Sequence, residues 1–154
     1  MFITELSSEK KHKVVVEPVT KEDYKIITKR RYFFDWKTER QFSVYKLRRS
    51  DDDTILGLVS FENYQKEKWI DIRLLSVSFE NRGSKKKYDR IAGTLIGYVC
   101  REAIKLYANK GCVALVPKGD LGEHYMSQYG MKDAGKRLFL DGEDLLKILN
   151  TYEI

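Results

Sequence analysis

Residues 69–108 constrain the fold more than any other stretch, because their hydrophobic period changes partway along. From Trp69 to Phe79 the apolar residues nearly alternate, as in a half-buried strand, and Leu74 with Leu75 breaks the alternation as a bulge does. From Ile91 they recur at the helical period, which predicts an amphipathic helix of about four to five turns. The stretch therefore predicts a strand, a loop and a helix.

The loop between this strand and helix is rich in glycine and lysine. Unpaired backbone N–H groups and the positive end of the helix dipole point into such a loop, and both favour a bound phosphate. The sequence has no G-x-x-x-x-G-K-[ST] motif and no G-x-G-x-x-G after a strand. This excludes a P-loop and a dinucleotide fingerprint.

The other segments predict further strands and helices around this unit. Cys112 begins a short apolar strand ended by Pro117, so strand, helix and strand follow one another and predict a parallel pair. The aromatic cluster at residues 32–36 predicts core packing, with the wall of a substrate site as the alternative. In chain order, we predict strands at 12–19, 41–48, 55–61, 112–116 and 135–141, and helices at 24–31, 121–129 (capped by Asp120) and 143–149.

The end of the central strand resembles a motif of the GNAT superfamily of acetyl-coenzyme-A-dependent N-acetyltransferases, L-x-V-x-P-E-x-R-G. The corresponding residues here run from Leu75 to Gly83. The loop of that family reads Q/R-x-x-G-x-G/A, which Arg82, or alternatively Lys87, begins and Ala92 ends. This chain departs in the middle, because residues 84–90 stand where the family has about two, and Arg90 takes the place of the inner glycine.

The resemblance implies one domain over residues 1–154, of the α/β (α+β) class. Its GNAT-type sheet would be mixed and mostly antiparallel, with helices on both sides. The implied reaction transfers an acetyl group from acetyl-coenzyme A to a primary amine acceptor, whose identity a fold does not give. Two alternatives stay open: toxin-like acetylation of aminoacyl-tRNA, and a non-catalytic coenzyme-A-binding module of the same fold.

The resemblance also implies where acetyl-coenzyme A binds. Its pyrophosphate would lie on backbone amides of the loop and first helical turn, with the basic side chains near the phosphates. Its pantetheine arm would lie along backbone groups of the central strand. The cofactor-binding residues are Leu75, Ser76, Val77, Arg82, Gly83, Ser84, Lys85, Lys87, Arg90, Ile91, Ala92 and Gly93.

For the proton donor to the leaving thiolate we choose Tyr125 first and Tyr129 second, because a phenol with a pKa near 10 suits that role. Residues 124–131 resemble the family's Y-x-x-x-G-F, although its tyrosine falls where this chain has Met126. As general base we choose Asp71, then Glu62. One set of alternatives is structural: both tyrosines pack, and both carboxylates face solvent from their strands. Deprotonation through water and participation of His124 are the chemical alternatives.

Composition limits the other classes. Two cysteines and two histidines, all scattered, predict neither a disulfide framework nor a metal site, and favour a reduced cytoplasmic protein. No segment approaches the roughly 20 apolar residues of a membrane helix. The net charge of +6 favours an acidic partner, such as coenzyme A or tRNA, or reflects a lysine-rich surface. A homodimer is left open.

Overall fold

The computed structural model describes residues 1–154, which form nine strands and four α-helices. The strands are Phe2–Glu5 (β1), Lys11–Pro18 (β2), Ser43–Arg49 (β3), Ile55–Tyr64 (β4), Trp69–Val77 (β5), Tyr88–Asp89 (β6), Cys112–Leu115 (β7), Lys132–Ala134 (β8) and Arg137–Asp141 (β9). The helices are Lys29–Tyr32 (α1), Ile91–Tyr107 (α2), Gly122–Tyr129 (α3) and Gly142–Tyr152 (α4). None of the helices combines the length and the apolar character needed to cross a membrane.

The strands form one mixed sheet in the order β6-β1-β2-β3-β4-β5-β7-β9-β8. Most of its pairs are antiparallel, including β1 with β2, β2 with β3 and β7 with β9, as predicted. β5 and β7 are parallel, because the helix α2 connects them as a crossover. Their register runs from Trp69 opposite Cys112 to Ile72 opposite Leu115, and β5 continues to Val77.

The chain divides into two compact units, whose boundaries fall inside β4, β5 and α2. The first comprises Met1–Ser60 and Leu74–Leu95, and the second comprises Phe61–Arg73 and Ile96–Ile154. The prediction of a single domain stays a prediction.

The core of the first unit contains the predicted aromatic cluster. Tyr32 and Trp36 are buried with Val44, Ile55 and other apolar side chains. The Tyr32 hydroxyl donates to the Ile55 carbonyl at 2.8 Å, and Trp36 Nε1 donates to the Tyr32 carbonyl at 3.0 Å. Core packing is thus confirmed for these two rings, and each buried polar group has its partner.

In the second unit the strands bury most of their apolar side chains, and only β9 shows a strict alternation. Ile70 and Ile72 on β5, and Leu138 and Leu140 on β9, are all buried. The helix α4 packs on β7 and β9 and adds buried Leu145. On β5 the predicted alternation is not followed, because Asp71 between Ile70 and Ile72 is buried as well.

The predicted helix at residues 24–31 is wrong. A short 3₁₀ turn, Asp23–Lys25, and the one-turn helix α1 take its place. The Thr20 amide donates to Asp23 Oδ2 at 2.8 Å and the Asp23 amide to Thr20 Oγ1 at 3.2 Å. Thr28 then caps α1, so two successive capping residues divide the segment. Asp120 does not cap α3, because that N-cap is Leu121, without a side-chain bond.

Three short strands were not predicted: β1, β6 and β8. β6 lies inside the basic loop and pairs with β1, with Thr4 opposite Asp89 and Glu5 opposite Tyr88. β8 and β9 form a hairpin in place of one strand, and Gly135 turns it with a φ of +80°. Segments of two to four residues are too short to show a hydrophobic period, and none of these three is a continuous apolar run like β7.

Candidate functional site

The basic loop between β5 and α2 is fixed by one buried side chain, Asn81. Its Nδ2 donates to Ser78 Oγ at 2.8 Å, and its Oδ1 accepts a hydrogen bond from the Tyr88 amide at 3.1 Å. Tyr88 is itself buried, and Arg49 Nη1 donates to its hydroxyl at 3.0 Å. The backbone path of the loop is therefore determined from within the first unit.

Arg90 has the backbone conformation of a glycine. Its φ is +81°, in the left-handed region that side chains other than glycine rarely adopt. Arg90 is the residue that takes the place of the inner glycine in the resemblance, so the glycine-like backbone is present without the glycine. Its Nε donates to the Phe2 carbonyl at 3.3 Å, and its guanidinium lies 4.0 Å from the centre of the Phe2 ring.

The first turn of α2 directs its backbone donors toward this loop. The first helical hydrogen bond runs from the Thr94 amide to the Arg90 carbonyl, at 3.0 Å. The amides of Ile91, Ala92 and Gly93 precede it, so they have no acceptor within the helix. They are the groups to which an anion binds at a helix N-terminus.

The basic side chains of the loop differ in their surroundings. Lys86 Nζ lies 2.9 Å from Asp89 Oδ1. Burial opposes ionisation of Asp89, but Lys86 and the Arg90 amide outweigh it and lower the pKa of that carboxyl. Ser84, Lys85 and Lys87 are exposed, and Lys87 Nζ is 5.3 Å from the Tyr88 ring centre. Lys85 and Lys87 thus remain in solvent, where a phosphate can reach them.

Gly57 on β4 sets how closely α2 approaches the sheet. A Cβ atom at this position would lie 2.7 Å from Ile91 Cγ2 and 2.9 Å from Leu95 Cδ1. Ser76 on β5 and Thr94 on α2 are also buried, and neither hydroxyl has a hydrogen-bond partner. The absence of a side chain at Gly57 therefore positions the N-terminal turn of α2.

The two candidate proton donors lie on α3, in the second unit. Tyr125 is half-buried, whereas Tyr129 is buried and its ring centre is 6.4 Å from that of Tyr152. The two tyrosine rings are 6.0 Å apart, and the His124 ring lies 5.9 Å from each. Tyr125 is the more accessible phenol of the two.

Asp71 is buried on β5, so the solvent-facing alternative is wrong for this carboxylate. Its Oδ1 is 3.8 Å from Arg137 Nε, and neither atom has a hydrogen-bond partner. Desolvation raises the pKa of Asp71, Arg137 and Arg73 oppose that shift, and Glu62 adds to it. Glu62 itself is half-buried. Burial thus makes the Asp71 carboxylate more basic than an exposed aspartate, which is the direction of change that favours a general base.

The second unit also contains a groove of about 340 Å³. Trp69, Phe139 and Cys112 line it together with Arg137, whose guanidinium lies 5.3 Å from a ring centre of Trp69. Burial raises the pKa of the Cys112 thiol to about 11 and also raises that of buried Cys100. Neither cysteine is therefore an activated nucleophile. No cluster of three histidine, cysteine or acidic residues could hold a metal ion.

Sequence reasoning missed two of these features. Asn81 lies in the middle of the motif, at a position for which the motif gives no residue type. Arg137 becomes the partner of Asp71 only because β5, β7 and β9 lie side by side in the sheet. A basic residue near the start of the strand predicted at 135–141 was the one available signal for Arg137.

The sequence matches no protein-family model and no curated protein. Its structure is similar to several solved ones. Spermidine N-acetyltransferase from Vibrio cholerae, in complex with coenzyme A and spermine, has a TM-score of 0.63 at 13% identity, over 87% of this chain and 98% of that one. The ribosomal-protein-S18-alanine N-acetyltransferase from Escherichia coli gives 0.57 at 9% identity, over 82% and 90%. A mutant AtaT toxin bound to the C-terminus of the antitoxin AtaR gives 0.60 at 10% identity, over 88% and 98%.

Proposed function

Because this chain has the fold of the GNAT N-acetyltransferases, we infer that it transfers an acetyl group from acetyl-coenzyme A to a primary amine. The observation that carries the proposal is the loop before α2. There the glycine-like backbone of Arg90, the amides of Ile91 to Gly93 and exposed lysines occur together. The similar Vibrio cholerae enzyme holds coenzyme A and spermine, which supports a thioester donor and an amine acceptor.

For the cofactor we propose the loop and the strand end as its binding residues. The amides of Ile91, Ala92 and Gly93 bind the pyrophosphate. Arg82, Gly83, Ser84, Lys85, Lys87 and Arg90 complete the phosphate site. Backbone groups of Leu75, Ser76 and Val77 bind the pantetheine arm. Arg90 contributes chiefly through its backbone, because its guanidinium contacts Phe2.

For the chemistry we propose two residues of the second unit. Acetyl-coenzyme A supplies a thioester, whose carbonyl carbon forms a bond to the amine nitrogen as the carbon–sulfur bond breaks. Asp71 accepts a proton from the amine, with Glu62 as the alternative base. Tyr125 donates a proton to the departing sulfur, with Tyr129 as the alternative acid. The half-buried position of Tyr125 supports the first choice, since buried Tyr129 packs on Tyr152.

Binding of coenzyme A is the first test. Calorimetric titration should give a single site, and a ligand present at about 30 to 1,000 times its dissociation constant should stabilise the protein by roughly 2 to 4 kcal/mol. The measurement is the melting temperature with and without millimolar coenzyme A, with adenosine as a control that lacks the phosphates. No heat and no shift in melting temperature would reject the proposal. The amine acceptor, a tRNA partner, a homodimer and a cytoplasmic location stay predictions.

A further inference from the structure

A second feature of the first unit lies on its surface, in the turn that follows β5. Phe79 is 68% exposed, and its ring stacks on Phe33, with centroids 6.4 Å apart and an angle of 24° between the planes. The guanidinium of Arg82 lies 3.9 Å from the centre of the Phe33 ring. We call these three side chains the aromatic platform. Because one side of Phe79 stacks and most of the residue is exposed, the platform offers a flat apolar face to solvent.

The platform is held in place by its neighbours. Phe33 follows α1 with a φ of +72°, a conformation that bulky residues rarely adopt, and its amide donates to the Lys29 carbonyl at 2.7 Å. Arg31 on α1 forms an ion pair with Glu80, the residue next to Phe79. The helix and the turn are therefore joined, and Phe79 is oriented before any ligand arrives.

The charge around the platform is positive. Lys29 and Arg30 are exposed on α1, and Arg82 is exposed beside Phe33. Residues 29–32 and 79–82 together contain a single acidic residue, Glu80, and it forms an ion pair with Arg31. An exposed aromatic ring with cations beside it has the chemistry to stack an unpaired base while the cations contact phosphates. An acidic peptide would supply negative charge but no base to stack on Phe79. In a duplex the bases are stacked within the helix and are not available to the ring.

We propose that the aromatic platform binds single-stranded RNA, with one base stacked on Phe79 and the neighbouring phosphates on Lys29 and Arg30. The residues differ from those proposed for acetyl-coenzyme A, apart from Arg82. The RNA site therefore does not depend on acetyl transfer, and the two proposals can fail separately.

Fluorescence anisotropy with a labelled oligouridine of about 12 nucleotides, and with an abasic strand of the same length, tests the stacking. Phe79→Ala should weaken binding of oligouridine by about 5- to 150-fold, since stacking on one aromatic ring is worth that much per base. The abasic strand should bind both proteins equally. Phe79→Leu, which keeps an apolar side chain, should show most of the same loss. The matched control is Ile26→Ala, which removes an apolar side chain that is 58% exposed elsewhere in this unit.

The phosphate contacts are tested by salt. The double variant Lys29→Ala with Arg30→Ala should weaken binding of the oligouridine and of the abasic oligonucleotide alike. It should also reduce the slope of log affinity against log salt by about 1.4, because each single-strand phosphate contact contributes about 0.7. Lys21→Ala with Lys37→Ala is the charge-matched control and should leave the slope unchanged.

Three results would overturn the proposal. The first is that Phe79→Ala leaves the affinity for oligouridine unchanged, or weakens binding of the abasic strand by the same factor. The second is that Phe79→Ala lowers the affinity for coenzyme A, measured by calorimetry, and leaves the affinity for RNA unchanged. The platform would then be a cofactor contact. The third is equal binding of polyglutamate, which would make it a general anion surface. Circular dichroism melting of Phe79→Leu shows whether a loss reflects unfolding.

Discussion

Tyr125 is the residue on which the proposed chemistry depends most directly. Tyr125→Phe removes the hydroxyl and keeps the ring that contacts His124 and Tyr129. Turnover should fall by about 10²- to 10⁴-fold, the usual contribution of a positioned proton donor. Coenzyme A affinity and melting temperature should stay near those of the wild type.

The assay is release of free coenzyme A thiol from acetyl-coenzyme A with a panel of primary amines, and Tyr129→Phe is the matched variant. If Tyr129→Phe loses activity while Tyr125→Phe keeps it, the register across Met126 is wrong. If both variants keep full activity, the proton donor is water or another residue.

Asp71 should make stability depend on pH in a direction opposite to that of a salt-bridged surface acid. Desolvation raises its folded-state pKa above the ordinary 3.8, so the folded state binds more protons than the unfolded state between these two values. The stability of the wild type should therefore fall as pH rises from 3.8 through the folded pKa. Asp71→Asn, which cannot ionise, should remove this loss.

The measurement is the free energy of unfolding in urea at several pH values, for the wild type and the variant. Asp51→Asn is the control of opposite sign, because the hydrogen bond that Asp51 accepts from Arg49 lowers the pKa of Asp51, and that contribution to stability is lost as pH falls. A difference between wild type and Asp71→Asn that does not change with pH would mean that Arg137 fully compensates the desolvation of Asp71.

At the scale of elements, the basic loop should contribute to cofactor affinity through two exposed lysines. Lys85→Ala with Lys87→Ala should weaken the binding of coenzyme A by about 2- to 30-fold, at roughly 0.2 to 1 kcal/mol for each exposed ion pair with a phosphate. The affinity for dephospho-coenzyme A should fall by a smaller factor, because this ligand lacks the ribose 3′-phosphate. Lys86 is left unchanged, since it pairs with Asp89.

Calorimetry with both ligands gives the comparison, and Lys21→Ala with Lys37→Ala controls for the lost charge. Oligouridine affinity should be unaffected, because the RNA phosphates are proposed to lie on α1. A large loss of RNA affinity with little change for coenzyme A would assign the loop to nucleic acid instead.

The elements that the sequence predicts well are those with a long hydrophobic period. The central strand and α2 were predicted to within about two residues, because nine and 17 residues are enough to show a period. β1, β6 and β8 have two to four residues and were missed. The prediction of a helix at 24–31 was wrong because Thr20 and Thr28 each begin a separate turn. The hydrophobic pattern contains no signal for this interruption.

At the scale of the whole molecule, the order of elements carried the prediction of the fold, although identity to the similar structures is only 9 to 13%. The candidate loop was found for the same reason, since it follows the central strand directly. Arg137 beside Asp71, and Phe33 beside Phe79, could not be found, because tertiary packing brings together residues that are distant in the chain. Motif and period describe neighbours in sequence, whereas these pairs are neighbours only in space.

The pairing of β1 with β6 also has a consequence in time. Beside this pairing, Arg90 donates a hydrogen bond to the Phe2 carbonyl. The two residues are 88 positions apart in the chain. On a ribosome that adds about 5 to 20 residues per second, β1 would wait roughly 4 to 18 seconds before its partner in the basic loop emerges. Contacts of such long sequence separation form late, since the loop must be closed before they contribute. The pairing of β1 with β6, and with it the contact of Arg90 with Phe2, should therefore be among the last parts of the first unit to form.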